Sequence, residues 1–146
     1  MSMPVFETFD QDVADMMLAG GMNGAGGVPQ YLGIRFTSIT PGVVVAELDV
    51  TTDLLNPFGA AHGATLAALV DHLLGSAVFP LLPRGTWPAT LEFKLNYLAP
   101  ARVGVLRATA TVVSMSKRTA VIAVDCENEG RLVGTALGTV SITPPK

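Results

Sequence analysis

With 146 residues, 49% of them hydrophobic and 14% charged, the chain falls in the range of one globular domain. A formal charge of −3 and a pI near 5.2 argue against coating nucleic acid or anionic membrane, since both need a clustered basic excess. The single cysteine, Cys126, excludes an internal disulfide and any cysteine-based metal framework.

The opening MSMPVFETFD is acidic where a secretion signal needs basic residues, and the longest apolar run is broken by Asp71 and His72, so a cytoplasmic protein is expected. Asp10 is placed to cap a short helix over QDVADMMLAG. The glycine-rich GGMNGAGG behind it follows a helix, whereas phosphate-binding glycine loops follow a strand and lead into a helix; a linker is expected. Residues 1–29 are therefore assigned to this helix and linker, and residues 30–146 to a single domain.

That domain starts with two strand-like segments, IRFTSI and VVVAELDV, joined at Thr40-Pro41-Gly42. An irregular stretch containing Asn56-Pro57 then delivers the chain to an apolar helix from about Gly63 to Leu82, closed by Pro83, Gly85 and Pro88. Four strands follow: ATLEFKLNYL, VLRATATVVSM, TAVIAVDCEN and RLVGTALGTVSI, with turns at 100–104, Ser116-Lys117-Arg118 and Glu129-Gly130. Two strands, one long helix and four strands make an α+β unit. A helix with almost no polar face is stable only when buried, so a sheet is expected to wrap it.

Asp71 interrupts that helix. At about 100° per residue its neighbours on the helix surface are Ala67, Ala68, Leu74 and Gly75, three of them small. A buried carboxylate is expensive to hold unpaired: either it bonds a backbone group or an arginine and fixes a core, or it is a base or nucleophile. His72 points about 100° away and forms no pair with it. No zinc-ligand spacing is present, nor a Gly-x-Ser-x-Gly elbow, so neither a metal site nor a serine triad is expected.

The run NPFGAAHGATLAALVD, the strand TLEFKLNYLAPARVG and the closing GRLVGTALGTVSI together resemble the hotdog-fold acyl-CoA thioesterases of the PaaI-like group, over roughly residues 30–142. The resemblance implies a hotdog fold, a curved antiparallel sheet wrapped around one long central helix. It also implies hydrolysis of an acyl-CoA to free acid and CoA without metal or cofactor. In that family an Asn-x5-His-Gly-Gly segment enters the helix and a carboxylate nine residues after the His does the chemistry. Asn56, His62, Gly63 and Asp71 stand in the matching places, with Ala64 at the second Gly. Gly63 would give its amide to the thioester oxygen, and Asp71 would activate a water or attack the thioester carbon itself. Asn56 would orient water or the carbonyl, or merely open a turn; His62 is a base, or more simply a helix cap. Thr90 matches a hydroxyl that relatives place near the reacting centre. The CoA phosphates would meet Lys117, Arg118 and Thr119, with Arg84 and Arg102 as further candidates. Trp87, Phe58, Phe79 and Met115 are equally acyl-pocket and core residues.

A mean hydropathy of +0.47 is high for a chain this short, and points to apolar surface buried between subunits. The expected assembly is a homo-oligomer, a dimer or a dimer of dimers (homotetramer), with active sites shared between chains. No nucleic acid or membrane partner is expected. The competing readings are a non-catalytic acyl-CoA-binding module on the same fold and, more remotely, an enoyl-CoA hydratase.

Overall fold

Asp10 opens α1 (Gln11–Leu18): its carboxylate accepts from the Val13 N–H at 3.2 Å, satisfying one of the donors that a helix start leaves free. The Arg84 guanidinium closes on the same carboxylate at 2.8 Å, and this hydrogen bond is the main reason that the Asp10 pKa lies below its ordinary value. The structure, a computed structural model, describes residues 4–21 and 26–145. The glycine-rich run therefore falls partly outside the described residues. Beyond it Val28–Tyr31 forms α2, a single turn with Pro29 near its start.

The two hydrophobic segments form the hairpin β1 (Arg35–Thr40) and β2 (Val43–Val50), closed by Pro41 and by Gly42 at φ +77°, the residue pair that a type II turn favours. The central helix α3 covers Gly63–Val78 and ends earlier than about Leu82, because Pro80 has no N–H to continue it; a 3-10 turn, Phe79–Leu81, completes the element. The last four strands are β3 (Trp87–Tyr97), β4 (Gly104–Met115), β5 (Thr119–Asn128) and β6 (Arg131–Thr143). They join the hairpin in one sheet of order β1-β2-β4-β5-β6-β3, antiparallel throughout. This curved six-stranded sheet with one long helix is the hotdog fold.

Alternate residues of β2, β4, β5 and β6 turn toward α3 and are buried: Val44, Ala46 and Leu48, then Leu106, Ala108 and Ala110, then Ile122 and Val124, then Ala136 and Val140. They meet Leu66, Leu69, Val70, Leu73 and Leu74 of the helix, each large side chain stabilising the fold by about 1.5–3 kcal/mol when fully buried. The many alanines let the helix lie close. Gly138 takes this furthest: a Cβ there would come within 2.7 Å of Leu74 Cδ1 and 2.7 Å of Phe93 Cβ.

The sheet wraps the helix as expected, but in the single chain one stripe of the helix is left uncovered. Ala64 and Asp71 are exposed, and Ala67, Ala68 and Gly75 only half-buried, so the stripe of small residues around Asp71 stands open in the single chain. The cause is β3. It is the last strand of the sheet, packs chiefly on β6 and α3 among the described residues, and covers one flank of the helix.

Candidate active site

The loop before α3 is built by its own backbone. Asn56 Oδ1 accepts from the N–H groups of Phe58 (2.9 Å) and Ala60 (3.3 Å), while Asn56 N donates to Ala60 O at 2.7 Å. Gly59, at φ +76°, closes this turn, and its carbonyl accepts from Arg102 Nη1 at 2.9 Å. The Asn56 oxygen is thus committed to its own loop, which leaves the Nδ2 amide hydrogens as the groups able to face a ligand.

His62 is the N-cap of α3: its Nδ1 accepts from the Ala64 N–H at 3.1 Å, so the neutral ring carries its proton on Nε2. The Gly63 N–H has no acceptor among the described residues and lies at the positive end of a 16-residue helix. Tyr97 lies across it. The Tyr97 hydroxyl donates to Gly63 O at 2.9 Å, and a Cβ at position 63 would meet the phenol ring at 3.0 Å, so a larger residue there would have to push the ring aside by a few tenths of an ångström.

Asp71 lies two turns further along and makes no ion pair or side-chain hydrogen bond among the described residues. It is exposed, so the sequence-based picture of an acid buried in the core is corrected. Its neighbour His72 turns to another side, stacks on Phe36 with ring centroids 5.4 Å apart, and leaves Nε2 buried without a hydrogen-bond partner among the described residues. Burial pushes the His72 pKa below its ordinary value, with nearby Asp71 opposing in part.

Thr90 lies on the helix-facing side of β3. A β-bulge between Thr90 and Glu92 shifts the alternation, so that Thr90 pairs with Val140 while Phe93 pairs with Gly138, both inward positions of β6. Pro88 touches the space above Gly75, with Cγ 3.7 Å from where its Cβ would be, and Tyr97 covers Gly63, so α3 and β3 run antiparallel. From that shared point four helix residues advance about 6 Å and two strand residues about 7 Å. Asp71 and Thr90 are therefore level with each other.

Lys117 and Arg118 form the exposed tip of the β4–β5 turn. Ser116 Oγ holds that turn by accepting from Arg118 N (3.2 Å) and Thr119 N (3.1 Å), and Ile142 N donates to Arg118 O at 2.7 Å. Neither cation has an ion pair among the described residues. The other two candidate cations are engaged: Arg84 with Asp10 and Asp12, Arg102 with Gly59 O. The cavity beside this turn, about 650 Å³, has Met115 in its wall but none of Asn56, Gly63, Asp71 or Thr90. Phe79 and Trp87 stack on each other at 5.9 Å, and Phe58 points outward.

Two contributors escaped the sequence reading. Tyr97 belonged to an alternating strand with nothing to mark its hydroxyl. Asn128 is buried and clips the β3–β4 connection: its Oδ1 accepts from Arg102 N at 2.7 Å, and its Nδ2 donates to the carbonyls of Arg102 (3.2 Å) and Val105 (3.0 Å). That connection in turn supports the loop before α3, since Ala61 N donates to Ala101 O at 2.8 Å.

Residues 58–135, more than half of the chain, match the model of the thioesterase superfamily, and the chain belongs to that family. It is 30% identical over 95 residues to the 1,4-dihydroxy-2-naphthoyl-CoA hydrolase of Listeria monocytogenes, covering 65% of this chain and 77% of that one. The PaaI protein of E. coli, from a phenylacetic acid degradation operon, superposes with a TM-score of 0.80 at 25% identity, over 88% of this chain and 93% of the other. A thioesterase from Haemophilus influenzae shares the fold, with a TM-score of 0.81 at 24% identity and coverage of 86% and 88%. The chain is a PaaI-like hotdog thioesterase.

Proposed function

We propose that the protein hydrolyses acyl-CoA thioesters at a site assembled from two copies of the chain, with the Gly63 amide holding the thioester oxygen and Asp71 serving the attack. Water adds to the thioester carbon as Asp71 takes its proton, or Asp71 adds first and water cleaves the resulting anhydride. In either case the C–S bond breaks, the CoA thiolate leaves and takes up a proton, and a free acid forms. Charge that builds on the carbonyl oxygen meets an unused N–H at the positive end of a helix. Thr90, level with Asp71, and the Asn56 amide would orient water or carbonyl.

The observation that carries this reading is a distance. Gly63 and Asp71 are eight residues apart on one continuous helix, about 12 Å along its axis. A reacting carbon must lie about 3 Å from both its nucleophile and the oxyanion donor. One chain's pair cannot serve one thioester, whereas a two-fold axis brings the Gly63 of one chain to the Asp71 of another. The open edge of β3 supports the same pairing. It is 11 residues long, with Trp87, Leu91 and Tyr97 exposed at 63%, 60% and 57%, a surface that natural edge strands normally blunt or cover. The assembly is a dimer or a dimer of dimers.

The substrate class rests on the relatives' CoA ester and on the two unpaired cations of the β4–β5 turn, where Lys117, Arg118 and Thr119 can receive phosphates. The acyl group is assigned as aryl or medium-chain. Release of free thiol from benzoyl-, phenylacetyl- and hexanoyl-CoA tests the activity, with Asp71→Asn as the decisive variant. We expect turnover to fall at least a thousandfold with the melting temperature unchanged, since the isostere keeps volume and loses basicity. Near wild-type hydrolysis by the folded variant would remove Asp71 from the mechanism.

A further inference from the structure

Beside the β4–β5 turn lies a cavity of about 650 Å³, a volume typical of small-molecule sites, and nothing in the chemistry at Asp71 uses it. One wall is the N-terminal segment of residues 4–8. The 3-10 turn behind α3 supplies Leu81 and Leu82, and strand ends supply Met115 and Ile142. Lys117 and Arg118 also line it, as do Glu7, Thr8, Thr86 and Ser116. The walls are held: Asp10 N donates to Pro80 O at 2.8 Å, Arg84 clamps the Asp10 carboxylate, and the turn is fixed by Ser116.

We propose that this cavity seats the adenine of CoA, with the nucleotide's phosphates on Lys117 and Arg118; the proposal rests on the acyl-CoA reading above and adds to it a base pocket closed by the N-terminal segment. An acyl chain would use the apolar walls but leave two cations idle. Inorganic phosphate would use the cations and ignore the walls. A flat heterocycle carrying phosphates uses both. Glu7 repels phosphate, which orders the ligand within the pocket: phosphates toward the turn, the amino edge of the base toward the Glu7 carboxylate. The position also suits the rest of the molecule. Leu81 is ten residues past Asp71, about 15 Å along the helix, a span that an extended pantetheine arm bridges.

The test uses the full-length protein, a variant lacking residues 1–8 that keeps the Asp10 cap, and Phe6→Ala, which changes the wall without shortening the chain. Adenosine 3′,5′-bisphosphate, the nucleotide end of CoA, is titrated calorimetrically into each, so that binding is read without turnover. KM and kcat are measured with an acyl-CoA and with the N-acetylcysteamine thioester of the same acid, which has no nucleotide. We expect the bisphosphate to bind the intact protein and to bind each variant at least tenfold more weakly. KM for acyl-CoA should rise by a similar factor with kcat unchanged, and neither constant should move for the short thioester. Equal shifts in KM for both substrates would put the acyl group in the cavity and overturn the proposal, as would a bisphosphate affinity that ignores both changes at the wall. Lys117→Ala with Arg118→Ala separates the two levels. If it raises KM for acyl-CoA while the wall variants do nothing, the phosphate contacts stand and the base pocket falls. If acyl-CoA is not hydrolysed by the intact protein, the activity reading falls while the titration still decides the pocket.

Discussion

Tyr97 holds the start of α3 from outside the helix, and its effect separates positioning from fold. Tyr97→Phe keeps the ring over Gly63 and removes only the hydrogen bond to Gly63 O, a bond of about 0.5–1.5 kcal/mol. We expect kcat to fall about two- to tenfold, the rate equivalent of that energy, with KM nearly constant and little change in melting temperature. A fall in stability with no change in kcat would make Tyr97 structural alone. His72 yields a pH prediction. Burial lowers its folded pKa below the ordinary 6.5, so above that value the ring is neutral in both states and costs nothing. Below it the unfolded chain takes up a proton that the folded chain resists, and stability falls as pH drops from 6.5 through the folded pKa. Urea midpoints at pH 7.5, 6.5 and 5.5 should show this decline in the wild type and a shallower one in His72→Gln; equal slopes would mean that another group is responsible. Neither residue's situation was legible beforehand, because a hydroxyl's partner across the fold and the lining of a buried ring depend on packing, not on spacing.

Strand alternation and turn residues carried most of the fold. β5 has the limits read for TAVIAVDCEN, where burial alternates along the strand although residues 120–124 are all apolar; Gly42 and Gly130 mark turns at positive φ, which glycine adopts without strain. What alternation could not reveal is the bulge after Thr90, since one extra residue in ATLEFKLNYL leaves the pattern plausible in either phase. The bulge decides which side of β3 Thr90 occupies. Gly138 is the other element-scale feature hidden in the sequence, a glycine required by the approach of Leu74 and Phe93 and not by a turn. Gly138→Ala should cost about 1–3 kcal/mol of stability, the usual penalty for overpacking, measured by urea unfolding. A neutral result would mean that α3 and β3 can separate freely at that point.

At the scale of the whole molecule, helix hydrophobicity was read as complete burial, and the structure leaves the Asp71 stripe open. A pattern of apolar residues states how much surface must be covered, not which chain covers it. In the proposed pairing a second chain would do two things: cover the stripe beside which β3 ends the sheet, and supply the Gly63 that each chain holds about 12 Å along the helix from its own Asp71. The proposed pairing of two chains, each giving Gly63 to the other's Asp71, supplies both. It is tested most directly by unfolding Asn56→Ala chains together with Asp71→Asn chains, refolding the mixture and measuring thioester hydrolysis. Asn56→Ala damages the loop that presents Gly63, and Asp71→Asn removes the carboxylate. With shared sites, half of the randomly formed dimers pair unlike chains, and each such dimer has one intact site and one doubly damaged one. The mixture should recover about a quarter of wild-type activity, a value set by two-fold symmetry. Recovery of no activity beyond the two variants alone, with unlike pairs present in the mixture, would contradict the shared site.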